Sequence, residues 1–104
     1  MCPAANTGQC LQPYLGLCPK GEGGRLVESG ATRLGGRVPV STSGGLLRKG
    51  HPIGATGVSM HVLSAMQLCG DAGDMQVKNA RLGGVYNMGG AAVANYVSVL
   101  ERLR

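Results

Sequence analysis

GHPIGATGVSMHVLSAMQLCG, residues 50–70, is the stretch on which the fold turns, and it holds no Asp, Glu, Lys or Arg. Over residues 58–69 the spacing predicts a helix, with Val58, Val62, Ala65, Met66 and Cys69 marking one face at helical intervals. Met60, Leu63 and Leu68 make most of the opposite side apolar too. Only a narrow uncharged stripe of Thr56, Ser59, Ser64 and Gln67 is polar. A helix apolar nearly all round belongs inside a structure rather than on its surface. Gly70 supplies the expected stop. His51, Pro52, His61 and Gln67 interrupt the run, so a membrane span of about 20 apolar residues is not expected.

Downstream, residues 71–74 read as a turn. Segments 80–88 and 91–100 follow, separated by Gly89-Gly90, which suits a tight hairpin. Val85, Tyr86, Val93, Tyr96, Val97 and Val99 favour strand. An amphipathic helix through Val93, Tyr96, Leu100 and Leu103 competes for the last segment, and periodicity leaves that choice open. Upstream, residues 1–37 read as loop, punctuated by Pro3, Pro13, Pro19 and the glycines of 21–24. The loop carries one apolar patch at 14–17 and room for a brief helix within 24–30. Residues 38–40 are a short strand candidate, with Pro39 tolerable only at an edge or strand end. Residues 41–57 form a glycine-rich loop leading into the helix.

At 104 residues the chain is at most one domain. Its 19 glycines raise the backbone entropy lost on folding, and its three aromatics, all tyrosine, leave out the large core-filling rings. Such a chain gains stability when neighbouring protein covers part of it. The net charge of +5 comes from dispersed Lys and Arg with no RNA-binding aromatic pattern, so nucleic acid is not the expected partner. A diffuse basic surface does suit an anionic, nucleotide-bearing substrate. Cys2, Cys10, Cys18 and Cys69 form no C-x-x-C pair, and the two histidines add no zinc spacing. With no basic-then-apolar leader at the start, they read as reduced thiols of an intracellular, cytoplasmic protein.

The chemistry concentrates at residues 50–57, which place the His51 imidazole at the mouth of the helix. Gly44, Gly45 and Gly50 let backbone approach a ligand closely, which makes them candidate substrate-binding positions. The helix N-terminus offers unpaired N–H groups and partial positive charge, suited to an anion or oxyanion. An imidazole there can serve as a base toward a thiol or as an oxyanion donor. The plainer alternative is that His51 merely caps a glycine turn. For His61, inside the helix and without a nameable partner, packing is the expected role. Phosphate-loop chemistry is excluded, because Gly50 stands where a Ser or Thr is required directly after Lys49 and no G-x-G-x-x-G opens a helix. No G-x-S-x-G elbow supports serine catalysis.

The strings SGGLLRKGHPIGATG (43–57) and ARLGGVYNMGGAAVANYV (80–97), with GLCPKGEGGRL (16–26) and QLCGDAG (67–73), resemble the C-terminal region of thiolases. The likeness is greatest to the thiolase-like sterol-carrier or lipid-transfer branch, often called acetyl-CoA acetyltransferase. It divides the chain into an unmatched segment, 1–13, and an incomplete thiolase C-terminal-like domain, 14–104.

The resemblance implies an α/β fold, part of the C-terminal half of a thiolase. A buried central helix would pack on a small sheet ending in an antiparallel strand pair, so that 80–88 and 91–100 are both strands. It implies that His51 activates a cysteine nucleophile and helps bind the thioester oxygen. Gly89 and Gly90 would form the oxyanion turn. A coenzyme A thioester would enter as substrate, with no bound cofactor and no metal.

The family's acid/base cysteine before the glycine turn is replaced here by Asn87-Met88, and methionine transfers no proton. Where the lipid-transfer branch has His-Asn, this chain has Tyr86-Asn87, and that branch's His-Asp-Cys motif is absent. Cys18 and Cys69 fall in matched segments that are not the nucleophile. The nucleophile and most of the coenzyme A contacts are expected from a thiolase N-terminal half. The expected protein partner is therefore that half, or a second copy in a homo-oligomer. The alternative is a noncatalytic thiolase piece acting as a binding or assembly module. A eukaryotic source would make the peroxisome the alternative location.

Overall fold

The computed structural model describes residues 16–90 and 93–103. Its contacts divide the chain into two compact units, Met1–Gly50 and His51–Arg104. The segment 1–13 and part of the 14–17 patch lie outside the described residues.

In the first unit, helix α1 spans Gly23–Glu28, and helix α2 spans Gly45–Lys49 with Gly44 as its N-cap. The loop expected over 41–57 thus contains one helical turn, made by the Leu46-Leu47-Arg48-Lys49 run of good helix formers. The strand expected at 38–40 does not form. Val38 N–H donates to the Ala31 carbonyl at 2.9 Å and Val40 N–H to the Thr32 carbonyl at 3.0 Å, closing the segment on its own loop. Pro39 has no N–H to give a ladder, so these two local bonds take all the donors the segment has.

The second unit holds helix α3, Thr56–Cys69, a single 3₁₀ turn at Gly73–Met75, and two strands, β1 at Leu82–Gly89 and β2 at Ala94–Glu101. The helix begins two residues ahead of the apolar pattern because Ala55 and Thr56 N–H both donate to the Pro52 carbonyl, at 3.0 and 3.2 Å. It ends as expected at Gly70, whose φ of 85° is a left-handed cap that glycine adopts without steric cost. The turn expected over 71–74 winds as the 3₁₀ piece.

Both late segments are strands, so the helical alternative for the last one is set aside. They pair antiparallel in a two-stranded sheet, in a register running from Leu82 opposite Glu101 to Gly89 opposite Ala94. The hairpin is wider than a two-residue Gly-Gly turn. Gly89 pairs with Ala94 at the end of the ladder, and Val93 N–H donates to the Gly90 carbonyl at 3.2 Å. The start of the second expected strand, at 91 and 92, lies outside the described residues.

Period-two alternation sorts the sheet faces. Gly83, Val85, Asn87, Ser98 and Leu100 turn toward α3, while Leu82, Gly84, Tyr86, Met88, Val97 and Val99 turn away from it. Gly83 sits so close under the helix that a Cβ there would collide with Ser64 Oγ and touch Leu68. Leu68, Ala72 and Val85 form the small buried core, with Thr56 buried beside the helix start.

Within the second unit the two-stranded sheet covers one side of α3. The helix is therefore half-buried rather than enclosed, with Val58 at 67% and Val62 at 52% exposure. The nominally polar stripe turns out to be the bonded side. Ser59 Oγ donates to the Thr56 carbonyl at 2.9 Å. Gln67 donates to the Met75 carbonyl at 2.7 Å and accepts from Val77 N–H at 2.8 Å. Gln76 completes the clasp, donating to the Gln67 carbonyl at 2.9 Å and accepting from Ala72 N–H at 3.0 Å. Outer-face Leu82, Val97 and Val99 are exposed as well.

Candidate functional site

An open cleft lies in the second unit, between the entry to α3 and the far end of β1. His51, Ile53, Gly54, Thr56, Gly57 and His61 line one side, and Asn87, Met88, Gly89 and Gly90 line the other. Its position follows from the fold. The helix start and the hairpin end are brought together because Gly57 packs directly against Asn87, where a Cβ would stand 2.9 Å from the carboxamide nitrogen.

His51 is held at this entry by a contact between its Nδ1 and Thr56 Oγ1 at 2.7 Å. Thr56 Oγ1 also lies 3.2 Å from the Pro52 carbonyl oxygen, within hydrogen-bond reach. His51 is exposed and lines the cleft, and its other nitrogen, Nε2, has no hydrogen-bond partner among the described residues. The threonine was legible only as part of a polar stripe. Its spacing of five residues after His51, across the Pro52 turn, is the signal that locates it.

Gly89 and Gly90 border the same cleft, so the structure gathers His51 and the glycine turn of the hairpin in one place. Gly90 has a φ of 57°, the left-handed region that opens the turn. Gly44, Gly45 and Gly50 belong to the first unit, where Gly44 and Gly50 cap α2 and Gly45 is its first residue.

His61 differs from expectation by having partners. Its Nδ1 lies 2.7 Å from the Gly57 carbonyl, which only a ring N–H can satisfy, and its Nε2 lies 2.9 Å from Ser98 Oγ on β2. The imidazole thus ties helix to sheet at the cleft wall. Among the described residues no cysteine lines the cleft. Cys69 is at the opposite end of α3, about 20 Å from Thr56 at the rise of an α-helix. Met88 stands before the glycine turn, and Tyr86 sits on the other sheet face, donating its hydroxyl proton to Asn95 Oδ1 at 2.7 Å. No three His, Cys, Asp or Glu residues among those described group to hold a metal. No helix among them is long and apolar enough to cross a membrane.

A helix laid on an antiparallel hairpin, with a histidine at the helix mouth beside a glycine turn, is the arrangement that the resemblance to thiolase C-terminal domains implies. The thiolase C-terminal domain-like family matches residues 9–102, and the chain belongs to that family. The match starts inside the 1–13 segment. Acetyl-CoA acetyltransferase of Methanothermobacter thermautotrophicus is 46% identical over 88 residues, 85% of this chain and 23% of the relative. Sterol carrier protein 2 of Bos taurus is 49% identical over 80 residues, 76% of this chain and 15% of the relative. Benzoylsuccinyl-CoA thiolase subunit BbsB of Thauera aromatica is 44% identical over 64 residues, 62% of this chain and 17% of the relative. The chain spans less than a quarter of the length of each of these relatives.

Proposed function

We propose that this chain supplies the histidine-bearing part of a thiolase-type acyl-CoA acyltransfer site, completed by a cysteine from a thiolase N-terminal half. The observation that carries this reading is the convergence of His51 and the Gly89-Gly90 turn on one open cleft. His51 Nε2 takes the proton of the cysteine thiol. The thiolate then attacks the carbonyl carbon of the acyl thioester, and the carbonyl oxygen becomes an oxyanion received by backbone N–H of the glycine turn. As the tetrahedral intermediate collapses, the carbon–sulfur bond to coenzyme A breaks, and the leaving sulfur takes the proton back from His51. Acyl-cysteine and free coenzyme A result. Titrating the ¹⁵N-labelled chain with acetyl-CoA tests this by NMR. Shifts should concentrate at Gly57, Asn87, Gly89, Gly90 and the His51 ring; shifts confined to other residues would sink the assignment. Without the cysteine half, the chain should not convert acetoacetyl-CoA and coenzyme A to acetyl-CoA.

A second, noncatalytic reading, a binding or assembly module, is favoured by the exposed apolar side chains on both faces of the layer, Val58 and Val62 on α3 and Val97 and Val99 on β2. Apolar surface of this kind marks association, whether with a thiolase N-terminal half or with a second copy. Size-exclusion chromatography separates the cases. A sharp folded monomer at low concentration argues against dependence on any protein partner.

A further inference from the structure

We propose that Thr56 is a positioning residue that holds His51 as the Nδ1–H tautomer, leaving Nε2 with the free lone pair; the proposal rests on the reading of His51 as the base. Thr56 is only 4% exposed, so bulk water does not compete for its hydroxyl. That hydroxyl has a single proton and two neighbours, His51 Nδ1 at 2.7 Å and the Pro52 carbonyl at 3.2 Å. Two arrangements satisfy the distances. In one, Nδ1–H donates to Oγ1 and the hydroxyl donates onward to Pro52. In the other, the hydroxyl donates to Nδ1, and the ring proton sits on Nε2.

Two considerations select the first. A helical threonine's favoured rotamers include the one that bonds the carbonyl four residues back, and Pro52 is four residues before Thr56. In that rotamer the Oγ1 lone pairs are left for Nδ1–H. The arrangement also survives the chemistry unchanged. When Nε2 takes a proton, Nδ1 still donates to Oγ1 and no hydroxyl has to turn. In the reverse arrangement Nε2 already carries the ring proton and has no lone pair to act as base. Protonation can then occur only at Nδ1, and it sets two donors facing each other until the hydroxyl rotates. Tautomer assignment by the partner of the other ring nitrogen is the general behaviour of functional histidines.

The test is the tautomeric state of His51 in the full chain, read from ¹⁵N shifts of the imidazole in ¹⁵N-histidine-labelled protein at alkaline pH. His61, whose Nδ1 faces a carbonyl, serves as internal reference. The expected result is a His51 signal dominated by Nδ1–H in the native chain and in Thr56→Ser, which keeps the hydroxyl. In Thr56→Val, of nearly the same shape, the ratio should move toward Nε2–H by about three- to tenfold, the effect of one ordinary hydrogen bond. A native chain dominated by Nε2–H, or a folded Thr56→Val with an unchanged ratio, overturns the proposal. If Thr56→Val does not fold, the native and Thr56→Ser spectra still decide. The readout requires no turnover, so a wrong tautomer and a failure of the acyl-transfer reading are told apart.

Discussion

His61 on α3 and Ser98 on β2 are joined by a 2.9 Å contact that ties the helix to the second strand beside the cleft. Because His61 Nδ1 is committed to the Gly57 carbonyl, Nε2 accepts the Ser98 hydroxyl proton in the uncharged ring. Ser98→Ala removes that donor while leaving the half-buried ring access to water. A loss of about 1 kcal/mol in unfolding free energy is expected, the net value of a neutral hydrogen bond. Urea denaturation measures it, and His61→Ala should cost more, because packing is lost with both bonds.

Gly83 and Ser64 set how closely the helix lies on the sheet. Gly83→Ala drives a methyl group into Ser64 Oγ. A cost of about 1 kcal/mol is expected, the low end for overpacking, since the serine can rotate. On a Ser64→Ala background the obstacle is gone, and alanine should be the better strand residue. The double-mutant cycle therefore predicts a change of sign for the Gly83→Ala effect.

Gln67 is the hub of the clasp beyond the helix. Gln67→Leu strips the Met75 carbonyl and Val77 N–H of their partner. About 1–3 kcal/mol should be lost, the cost of leaving half-buried groups unsatisfied. Amide exchange at Val77 should accelerate while that of β1 and β2 changes little.

Gly70→Ala forces a Cβ onto a φ of 85°. A destabilisation of about 1 kcal/mol is expected from the left-handed conformation alone, because nothing crowds that position. Thermal melting by circular dichroism checks it.

The helix and its stop were legible because residues 58–69 are apolar at helical spacing and Gly70 follows immediately. The hairpin was legible in the valines and tyrosines flanking Gly89-Gly90, although choosing strand over helix for the second segment needed the family likeness. What the sequence hid were bonds across turns. Nothing in the stripe Thr56, Ser59, Ser64, Gln67 says which bonds its members make, because a uniformly uncharged helix has no solvent face to read. The partner of His61 is far along the chain and emerges only once the strand register is set. The 38–40 strand failed since its two available N–H donors were taken by Ala31 and Thr32. His51 stands out in the sequence by its glycines and by resemblance, whereas Thr56, which bonds to it, has in the sequence only the marks of a polar helix position.

The central claim is that His51 acts as the base of a thiolase-type site, and a chimera tests it most directly. The matching part of this chain replaces its counterpart in the Methanothermobacter acetyl-CoA acetyltransferase, and thiolysis of acetoacetyl-CoA is followed with and without His51→Ala. His51→Ala removes one hydrogen bond, to Thr56, so it should cost folding no more than about 1.5 kcal/mol. The account predicts an active chimera whose kcat/KM falls by about 10²- to 10⁴-fold on His51→Ala, the usual contribution of a positioned base. A folded chimera with no activity, or one that His51→Ala leaves unchanged, would contradict it.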